Sequence, residues 1–315
     1  MSLLYCRDCE PVTVDAVLIA GPTASGKSAA ALALAGALQG VIVNADSMQV
    51  YREVRILSAR PPEEDLARAP HLLYGHVGVA ERYSVGRYQS DAMAALSEAR
   101  ARKRLPIFVG GTGLYFAALT EGLADIPSIP AAIRRQARDR LEALGVAGLH
   151  AELARRDPET AAQLRPSDPQ RVLRAYEVFE ATGRPLASWQ REAGTPVLAG
   201  LTLAKFVLEL PRPLLREHIE ARFRAMLAAG ARAEAAALKG LDPTLPAAKL
   251  LGLRPLWALD DGAMTEAEAV TAAVTATRQF AKRQETWFRH RMAGWLRLAP
   301  TSVSNIITNL RQNFL

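Results

Sequence analysis

The chain lacks most features of secreted, membrane-embedded or disulfide-stabilised proteins. Cysteine occurs only at Cys6 and Cys9, and two thiols supply neither a disulfide framework nor the four ligands of a zinc site. The longest apolar run near the N-terminus, residues 16–20, is too short for a membrane span and has no signal-peptide layout. We therefore expect an inert reduced cysteine pair and a cytoplasmic protein without a membrane partner. We also expect a monomer.

Aromatic residues are sparse at 6%, but half of the 315 residues are apolar and 23% are charged, which is typical of a globular protein. A single hydrophobic core stops growing at about 250 to 300 residues, so this length accommodates an α/β domain and an additional part. The 39 lysines and arginines exceed the 32 acidic residues, giving a net charge of +7. The excess favours a polyanionic partner, although solubility alone could explain it.

One segment fits the phosphate-binding pattern G-x-x-x-x-G-K-[S/T] at every fixed position. It consists of Gly21, Pro22, Thr23, Ala24, Ser25, Gly26, Lys27 and Ser28. Residues 14–20 before it predict a buried strand, and residues 29–38 after it predict a helix. Backbone N–H groups of such a loop converge on an anion, the lysine adds positive charge, and the hydroxyl of Ser28 can bind Mg²⁺. The segment therefore predicts a site for a diphosphate or a triphosphate.

Two further predicted strands end at polar or glycine-rich positions. Residues 41–45 precede Asp46, and residues 105–109 precede Gly-Gly-Thr-Gly, which contains Thr112. Because ligands of parallel α/β sheets collect at the carboxyl ends of strands, we expect Asp46, Thr112 and the phosphate-binding loop to line one crevice.

The fold class that we predict is α/β: a P-loop NTPase-like parallel sheet flanked by helices, with an inserted all-helical subdomain. Residues 126–200 are rich in alanine and arginine and show helix-capping signals but no strand pattern, and a strand returns at residues 201–210. The catalytic core is accordingly assigned to 1–125 and 201–300, the insertion to 126–200 and a C-terminal tail to 301–315.

A long helix is predicted from about residue 213 to residue 239. Its apolar stripe consists of Ile219, Phe223, Met226 and Leu227. Arg222 lies on the same face. Because a buried guanidinium is costly without a partner, Arg222 either meets an anion, pairs with a carboxylate or lies at the edge of the stripe.

Residues 277–291 interleave cations with aromatic residues. On a helix, Arg278, Lys282 and Arg289 share a face that suits a phosphodiester backbone, although such a face is more often merely solvated. We expect Trp287 to pack into the core and the charges to do the binding.

These residues alone leave two functions open. Most such loops bind ATP or GTP, so a P-loop small-molecule or nucleoside kinase with an incidental basic surface is one of them. Asp46, an acid at a strand end, could act as a base toward an acceptor in a kinase or toward another nucleophile in a different transferase.

Four motifs, in the same order, resemble those of the tRNA dimethylallyltransferases, also called tRNA isopentenyltransferases. They are residues 21–28, 46–52, 109–115 and 282–289, with shorter matches at 70–72, 83–85 and 222–223. The resemblance spans roughly residues 14–291. It implies that the loop holds dimethylallyl diphosphate rather than ATP. The prenyl group would go to N6 of adenosine 37, just 3′ of the anticodon, in tRNAs reading codons that begin with U.

The resemblance also implies roles for individual residues. Asp46 would accept the amine proton, Thr112 would hydrogen-bond at the scissile oxygen, and Lys27 and Arg222 would stabilise the diphosphate together with Mg²⁺ at Ser28. Contacts with the anticodon stem-loop of tRNA are implied at Asp46, Ser47, Met48, Gln49, Thr112, Arg134, Gln170, Arg171, Arg174, Lys249, Arg254, Lys282, Arg283, Gln284, Trp287 and Arg289.

Two segments depart from the pattern of the family. Residues 56–60 read I-L-S-A-R where I-G-T-A-K is usual, and residues 251–254 read L-G-L-R where I-G-Y-K or V-G-Y-R is common. The second difference removes a tyrosine from a segment implied to contact RNA. The zinc finger of eukaryotic relatives is absent, which suggests a bacterial-type enzyme.

Overall fold

The computed structural model describes residues 14–192, 194–300, 307, 308 and 310. These residues form two compact units. The smaller unit is Thr120–Pro196, and the larger unit contains the described residues before and after it. The cysteine pair and most of the tail assigned to 301–315 lie outside the described residues. None of the described helices is both long enough and apolar enough to cross a membrane.

The larger unit is built on one sheet of six strands. They are β1 (Ala16–Ala20), β2 (Gly40–Asn44), β3 (His71–Leu72), β4 (Leu105–Gly110), β5 (Leu203–Leu208) and β6 (Leu296–Leu298). All neighbouring pairs are parallel, in the order β3-β2-β4-β1-β5-β6. Every residue of β1 and β2 is buried, as expected for a sheet covered by helices on both faces. The predicted fold class is confirmed.

Twelve α-helices occur among the described residues. They are α1 (Lys27–Leu38), α2 (Glu63–Arg68), α3 (Val85–Ala101), α4 (Gly113–Thr120), α5 (Ala131–Arg156), α6 (Pro158–Gln163), α7 (Pro169–Thr182), α8 (Leu186–Arg191), α9 (Arg212–Ala228), α10 (Ala231–Ala236), α11 (Leu253–Asp260) and α12 (Glu266–Arg291). A 3₁₀ turn spans Pro246–Lys249.

The single helix predicted from 213 to 239 is wrong, because two helices occupy this region. Helix α9 ends at Ala228, and Gly230 adopts a left-handed backbone with φ of 100° before α10 begins. Glycine takes this conformation without a steric penalty and therefore ends helices. Within α9, Ile219, Phe223 and Met226 are buried as predicted.

The smaller unit contains α5 to α8 around a core of its own that includes Leu149, Leu153 and Val172. Gly145 has a non-helical backbone and interrupts α5. Helix α7 begins where the Asp168 side chain accepts a hydrogen bond from the Arg171 N–H, and it ends at Gly183 with φ of 65°. An aspartate before a helix and a glycine after it are the capping signals that the sequence shows in this region.

The carboxyl ends of β2 and β4 lie unusually close together. The Ala45 N–H donates to the Val109 carbonyl at 2.8 Å, and the Thr112 N–H donates to the Ala45 carbonyl at 3.2 Å. A Cβ atom on Gly110 would lie only 2.0 Å from the Ala45 oxygen. Glycine at this position therefore allows the segments that carry Asp46 and Thr112 to meet.

We predict that Gly110→Ala lowers the free energy of unfolding by about 3 kcal/mol or more, because the clash involves backbone that cannot yield. Gly36→Ala is the matched control. Gly36 is exposed on α1, a Cβ there would meet nothing within 4 Å, and alanine in a helix interior gains up to about 1 kcal/mol. Urea unfolding of both variants measures the difference. A stability loss of the same size in both would contradict the packing argument.

Candidate active site

The phosphate-binding loop joins β1 to α1 and turns through two left-handed residues, Ala24 with φ of 64° and Gly26 with φ of 82°. The Ser25 N–H donates to the Pro22 carbonyl at 3.2 Å and closes the turn. The N-cap residue of α1 is Gly26, which has no side chain to cap the helix. The first N–H groups of that helix are therefore available to an anion, which the helix dipole also favours.

Two helices from the C-terminal half of the chain hold this loop. Arg222 on α9 donates from its guanidinium to the Thr23 hydroxyl. Gln284 on α12 accepts from the Thr23 N–H at 2.9 Å and donates to the Gly111 carbonyl at 2.8 Å. The amide of Gln284 thus ties the phosphate-binding loop to the glycine-rich loop after β4.

The implied tRNA contact of Gln284 stays a prediction, and the structure shows a different role for its side chain. Gln284 is 5% exposed, and its amide oxygen and nitrogen both bond within the protein. The sequence could not show this because the partners of Gln284 lie 261 and 173 residues away along the chain. The residue fixes the relative positions of two loops that line the crevice.

Positive charge dominates the crevice. Burial lowers the pKa of Lys27 to about 8, with Asp46 raising it and Arg222 lowering it by smaller amounts. Burial also lowers the pKa of Arg222, and Asp46 raises it. Lys27 donates to the Pro22 carbonyl at 3.2 Å. Two cations that influence each other and share one carboxylate leave a surplus of positive charge, which favours a bound anion.

Asp46 and Thr112 lie side by side, as predicted. The Asp46 carboxylate accepts from the Met48 N–H at 2.9 Å through Oδ1, while a Cβ on Gly111 would lie 3.5 Å from Oδ2. The Ser47 N–H donates to the Thr112 hydroxyl oxygen at 2.9 Å, and that hydroxyl donates to Ser47 Oγ at 3.3 Å. The carboxylate is therefore held through one oxygen beside a hydroxyl that can turn toward a ligand.

Two tyrosines feel the charge of Asp46, the half-buried Tyr74 and the buried Tyr115, and no sequence pattern selected them. Burial raises the pKa of Tyr74 and of Tyr115, and the charge of Asp46 raises both further. The Tyr115 ring stacks on Tyr88 at 3.8 Å with an interplanar angle of 8°. These phenols stay neutral, so they add no negative charge beside the carboxylate. Tyr115 lies in the motif at 109–115, which was a usable signal, whereas Tyr74 stands in no motif.

The predicted metal ligand, Ser28, is exposed on the first turn of α1. Within the described parts of the chain, no group of three or more histidine, cysteine, aspartate or glutamate side chains is placed to hold a metal ion. A metal at Ser28 would therefore need oxygen ligands from the bound anion.

A basic groove lies between α9 and α12, with a volume of about 380 Å³ and a floor formed by apolar side chains such as Leu215 and Ile219. Its cationic lining consists of Arg212, Arg216, Arg278 and Lys282. Arg212 pairs with Glu285 at 3.4 Å. Arg278, Lys282 and Arg289, which form the predicted basic face of α12, are all exposed. Arg283 is exposed as well.

Trp287 packs against the core, as expected. Its Nε1 is enclosed without a hydrogen-bond partner among the described residues, and a Cβ on Gly113 would lie 2.1 Å from that atom. The ring remains partly exposed. Its contact with tRNA therefore stays a prediction, as do the contacts of Lys249 and Arg254, which are both exposed.

Four predicted RNA-contacting residues belong to the smaller unit. Gln170 and Arg171 are exposed on the first turn of α7. Arg134 and Arg174 are half-buried, and burial together with the charge of Arg134 lowers the pKa of Arg174. The three arginines add positive charge to that unit, and contact of all four residues with RNA stays a prediction.

Comparison with known proteins gives a consistent result. The family model described as IPP transferase matches residues 49–291, and the model described as isopentenyl transferase matches residues 14–74. The chain belongs to the IPP transferase family. Proteins of this family named tRNA dimethylallyltransferase include one from Azorhizobium caulinodans, 52% identical over 306 residues, which covers 96% of this chain and 97% of the relative. Another, from Methylocella silvestris, is 53% identical over 287 residues and covers 90% and 95%.

Solved structures of the family share the fold. The full-length tRNA isopentenylpyrophosphate transferase from Bacillus halodurans is 29% identical with a TM-score of 0.67, and the match covers 96% of this chain and 97% of the other. A eukaryotic dimethylallyltransferase acting on tRNA is 27% identical with a TM-score of 0.75, covering 94% of this chain and 76% of the other. The recognition of the family from four sequence motifs is confirmed.

We predict that the phosphate site takes up a proton when it binds diphosphate at pH 8.5. The pKa of Lys27 in the free protein is about 8, so the side chain is largely neutral at this pH, and an anion restores the ammonium. Affinity should therefore weaken as the pH rises through 8. Calorimetry of inorganic diphosphate in two buffers with different ionisation enthalpies measures the uptake.

Lys27→Arg is the control, because a guanidinium keeps its charge at pH 8.5. This variant should bind without the lysine-linked uptake, while protons exchanged by diphosphate itself contribute equally to both proteins. Equal proton uptake in the two proteins would show that Lys27 does not titrate in this range.

Proposed function

We propose that this protein transfers the dimethylallyl group of dimethylallyl diphosphate to N6 of adenosine 37 in tRNAs reading codons that begin with U, releasing diphosphate. The observation that carries the proposal is the position of Asp46 and Thr112 beside a phosphate-binding loop with two cations, Lys27 and Arg222. A leaving-group site and an acceptor base thus lie in one crevice. The family relatives are named for this reaction.

The loop and its cations serve the leaving group. Cleavage of the allylic C–O bond moves negative charge onto the departing diphosphate. Loop N–H groups, Lys27 and Arg222 would surround this anion, and donors aimed at developing charge stabilise a transition state more than the ground state. Thr112 would donate a hydrogen bond at the scissile oxygen.

Mg²⁺ is the metal that we propose. Magnesium prefers oxygen ligands and commonly binds through one or two protein oxygens together with substrate phosphates. The exposed hydroxyl of Ser28, at the end of the phosphate-binding loop, fits this mode. When bound, the metal would neutralise part of the negative charge on the diphosphate.

Asp46 serves the acceptor. The exocyclic amine of adenine is a poor nucleophile because its lone pair is delocalised, so removal of its proton assists attack on the allylic carbon. The carboxylate has one oxygen fixed by the Met48 N–H and keeps the other for the amine. Because a stacked base cannot reach a half-buried carboxylate within the crevice, adenosine 37 must leave its stack and enter the crevice.

The kinase alternative loses its support. Membership of a prenyltransferase family accounts for the same loop, and the end of β4 carries Gly111 and Thr112 rather than the acid that an NTPase uses for Mg²⁺ and water. We further propose that the protein works in the cytoplasm as a monomer on the anticodon stem-loop of its tRNA.

The function is tested with labelled dimethylallyl diphosphate, Mg²⁺ and tRNA, without ATP. We expect the wild-type protein to form N6-dimethylallyl-adenosine in the digested tRNA. Asp46→Asn should bind diphosphate normally but lower kcat by about 10² to 10⁴, the range for a lost general base. Asp261→Asn, which alters an exposed carboxylate paired with Lys239, should leave kcat unchanged. Wild-type kcat in Asp46→Asn would remove this residue from the mechanism, and prenyl-free tRNA with the wild-type protein would reject the function.

A second prediction concerns the basic face of α12. If Lys282 and Arg289 contact phosphates of tRNA, each change to alanine should weaken tRNA binding and reduce the log–log salt slope by about 0.7 to 0.9. The affinity for diphosphate should not change. Arg100→Ala is the control, because Arg100 is an exposed cation on α3, near the amino end of β4 and away from the crevice. Binding measured at two salt concentrations gives the slope, and an unchanged slope in both variants would refute the contact.

A further inference from the structure

An isolated helical turn lies between β2 and α2. The Ala59 N–H donates to the Ile56 carbonyl at 2.9 Å, and the Arg60 N–H donates to the Arg55 carbonyl at 3.0 Å. Ala59 closes the turn in the left-handed region, with φ of 55°. A single turn does not stabilise itself, because fixing its backbone costs more than its few hydrogen bonds return. Something outside the turn must hold it.

Glu234 on α10 holds the beginning of this turn. Its Oε2 accepts from the N–H groups of Arg55 and Ile56, and its Oε1 accepts from the Leu57 N–H, all at 2.8 Å. These are the N–H groups that a helical turn leaves without partners at its start. A carboxylate is the best group for this position, because it accepts several charge-assisted hydrogen bonds and suits the positive end of the turn.

Gln49 holds the other end of the turn. Its Nε2 donates to the Ser58 carbonyl at 3.0 Å and to the Ala59 carbonyl at 2.9 Å. Arg60 adds a second tie by donating to the Tyr51 and Arg52 carbonyls at 3.1 Å each. The turn is therefore fastened on one side to α10 and on the other to the segment 46–52.

That segment is the one that carries Asp46. Ser47 bonds to Thr112, and Met48 bonds to the Asp46 carboxylate. The phosphate-binding loop is held separately, by Arg222 and Gln284. A change in the turn should therefore disturb the acceptor side of the crevice and leave the diphosphate side intact.

We propose that Glu234 is a positioning residue of the transfer reaction, acting through residues 55–60 and Gln49 to hold Asp46 in place for the adenosine. This inference rests on the proposed function. Removing the carboxylate charge leaves three N–H groups poorly paired. It also removes a negative charge that offsets the repulsion between Arg55 and Arg60, since Arg55 lowers the pKa of Arg60 and Glu234 raises it. Small displacements of a reacting group can cost about 10²-fold in rate.

The test compares Glu234→Gln with Gln49→Ala and with the double variant. Glu234→Gln should lower kcat for tRNA prenylation by about 10- to 100-fold while inorganic diphosphate binds with unchanged affinity. Glu220→Gln is the matched control, since Glu220 is on the exposed face of α9 and pairs only with Arg224 among the described residues. Equal losses in diphosphate affinity and kcat, or no loss in either, would overturn the proposal.

A double-mutant cycle separates a relay from two unrelated defects. If Glu234 and Gln49 act through one turn, breaking either end releases it, so the double variant should be little worse than the poorer single variant. If the two effects on kcat simply multiply, the two residues act independently and the relay is refuted.

Hydrogen exchange provides a readout that does not depend on activity. Amides of residues 55–57 should exchange faster in Glu234→Gln than in the wild type, and amides of the phosphate-binding loop should not. This result distinguishes the two possible failures. Prenylation absent from the wild type would reject the proposed function and the relay that depends on it. Unchanged exchange at 55–57 in an active enzyme would reject the relay alone.

Discussion

The amide of Gln284 holds the crevice together. It accepts from the backbone of Thr23 and donates to the backbone of Gly111, so one buried side chain fixes the phosphate-binding loop against the loop after β4. The bond to Gly111 is buried and the bond to Thr23 is partly buried. Water replaces a lost partner poorly at such positions, which makes the bridge costly to break. The position of Thr112 relative to Lys27 follows from this bridge.

The sheet supplies the second constraint. In the order β2-β4-β1 the carboxyl ends of three strands are neighbours, and the absence of a side chain at Gly110 lets the ends of β2 and β4 touch. Strand β4 therefore lies between β2, which leads to Asp46, and β1, which leads to the phosphate-binding loop. In the proposed reaction this separation would keep the carboxylate apart from the diphosphate, and Lys27 and Arg222 lie close enough to Asp46 to offset its charge.

Positioning and charge are handled by different groups. Lys27 and Arg222 provide charge, whereas Gln284, Asn44 and Glu234 provide position through hydrogen bonds to backbone. Asn44, for example, donates to the carbonyls of Asp46 and Leu73 and accepts from the Asp46 N–H. Backbone contacts of this kind leave no signature in a sequence, because any residue type can supply the carbonyl or the N–H.

The sequence by itself determined the phosphate-binding loop, the parallel α/β fold, the position of Asp46 at a strand end and the family. These follow from local spacing and from hydrophobic periodicity, which a chain displays without its partners. Strands β3 and β6, with two and three residues, are too short to show a strand-like alternation of apolar and polar residues. The helix break at Gly230 lies within a sequence pattern that is otherwise helical. Only the tertiary structure decided that Arg222 meets Thr23, that Gln284 is a buried bridge and that Glu234 caps a distant turn. Each of these joins residues more than 170 positions apart, and such pairs are selected by packing of the whole core rather than by any local propensity.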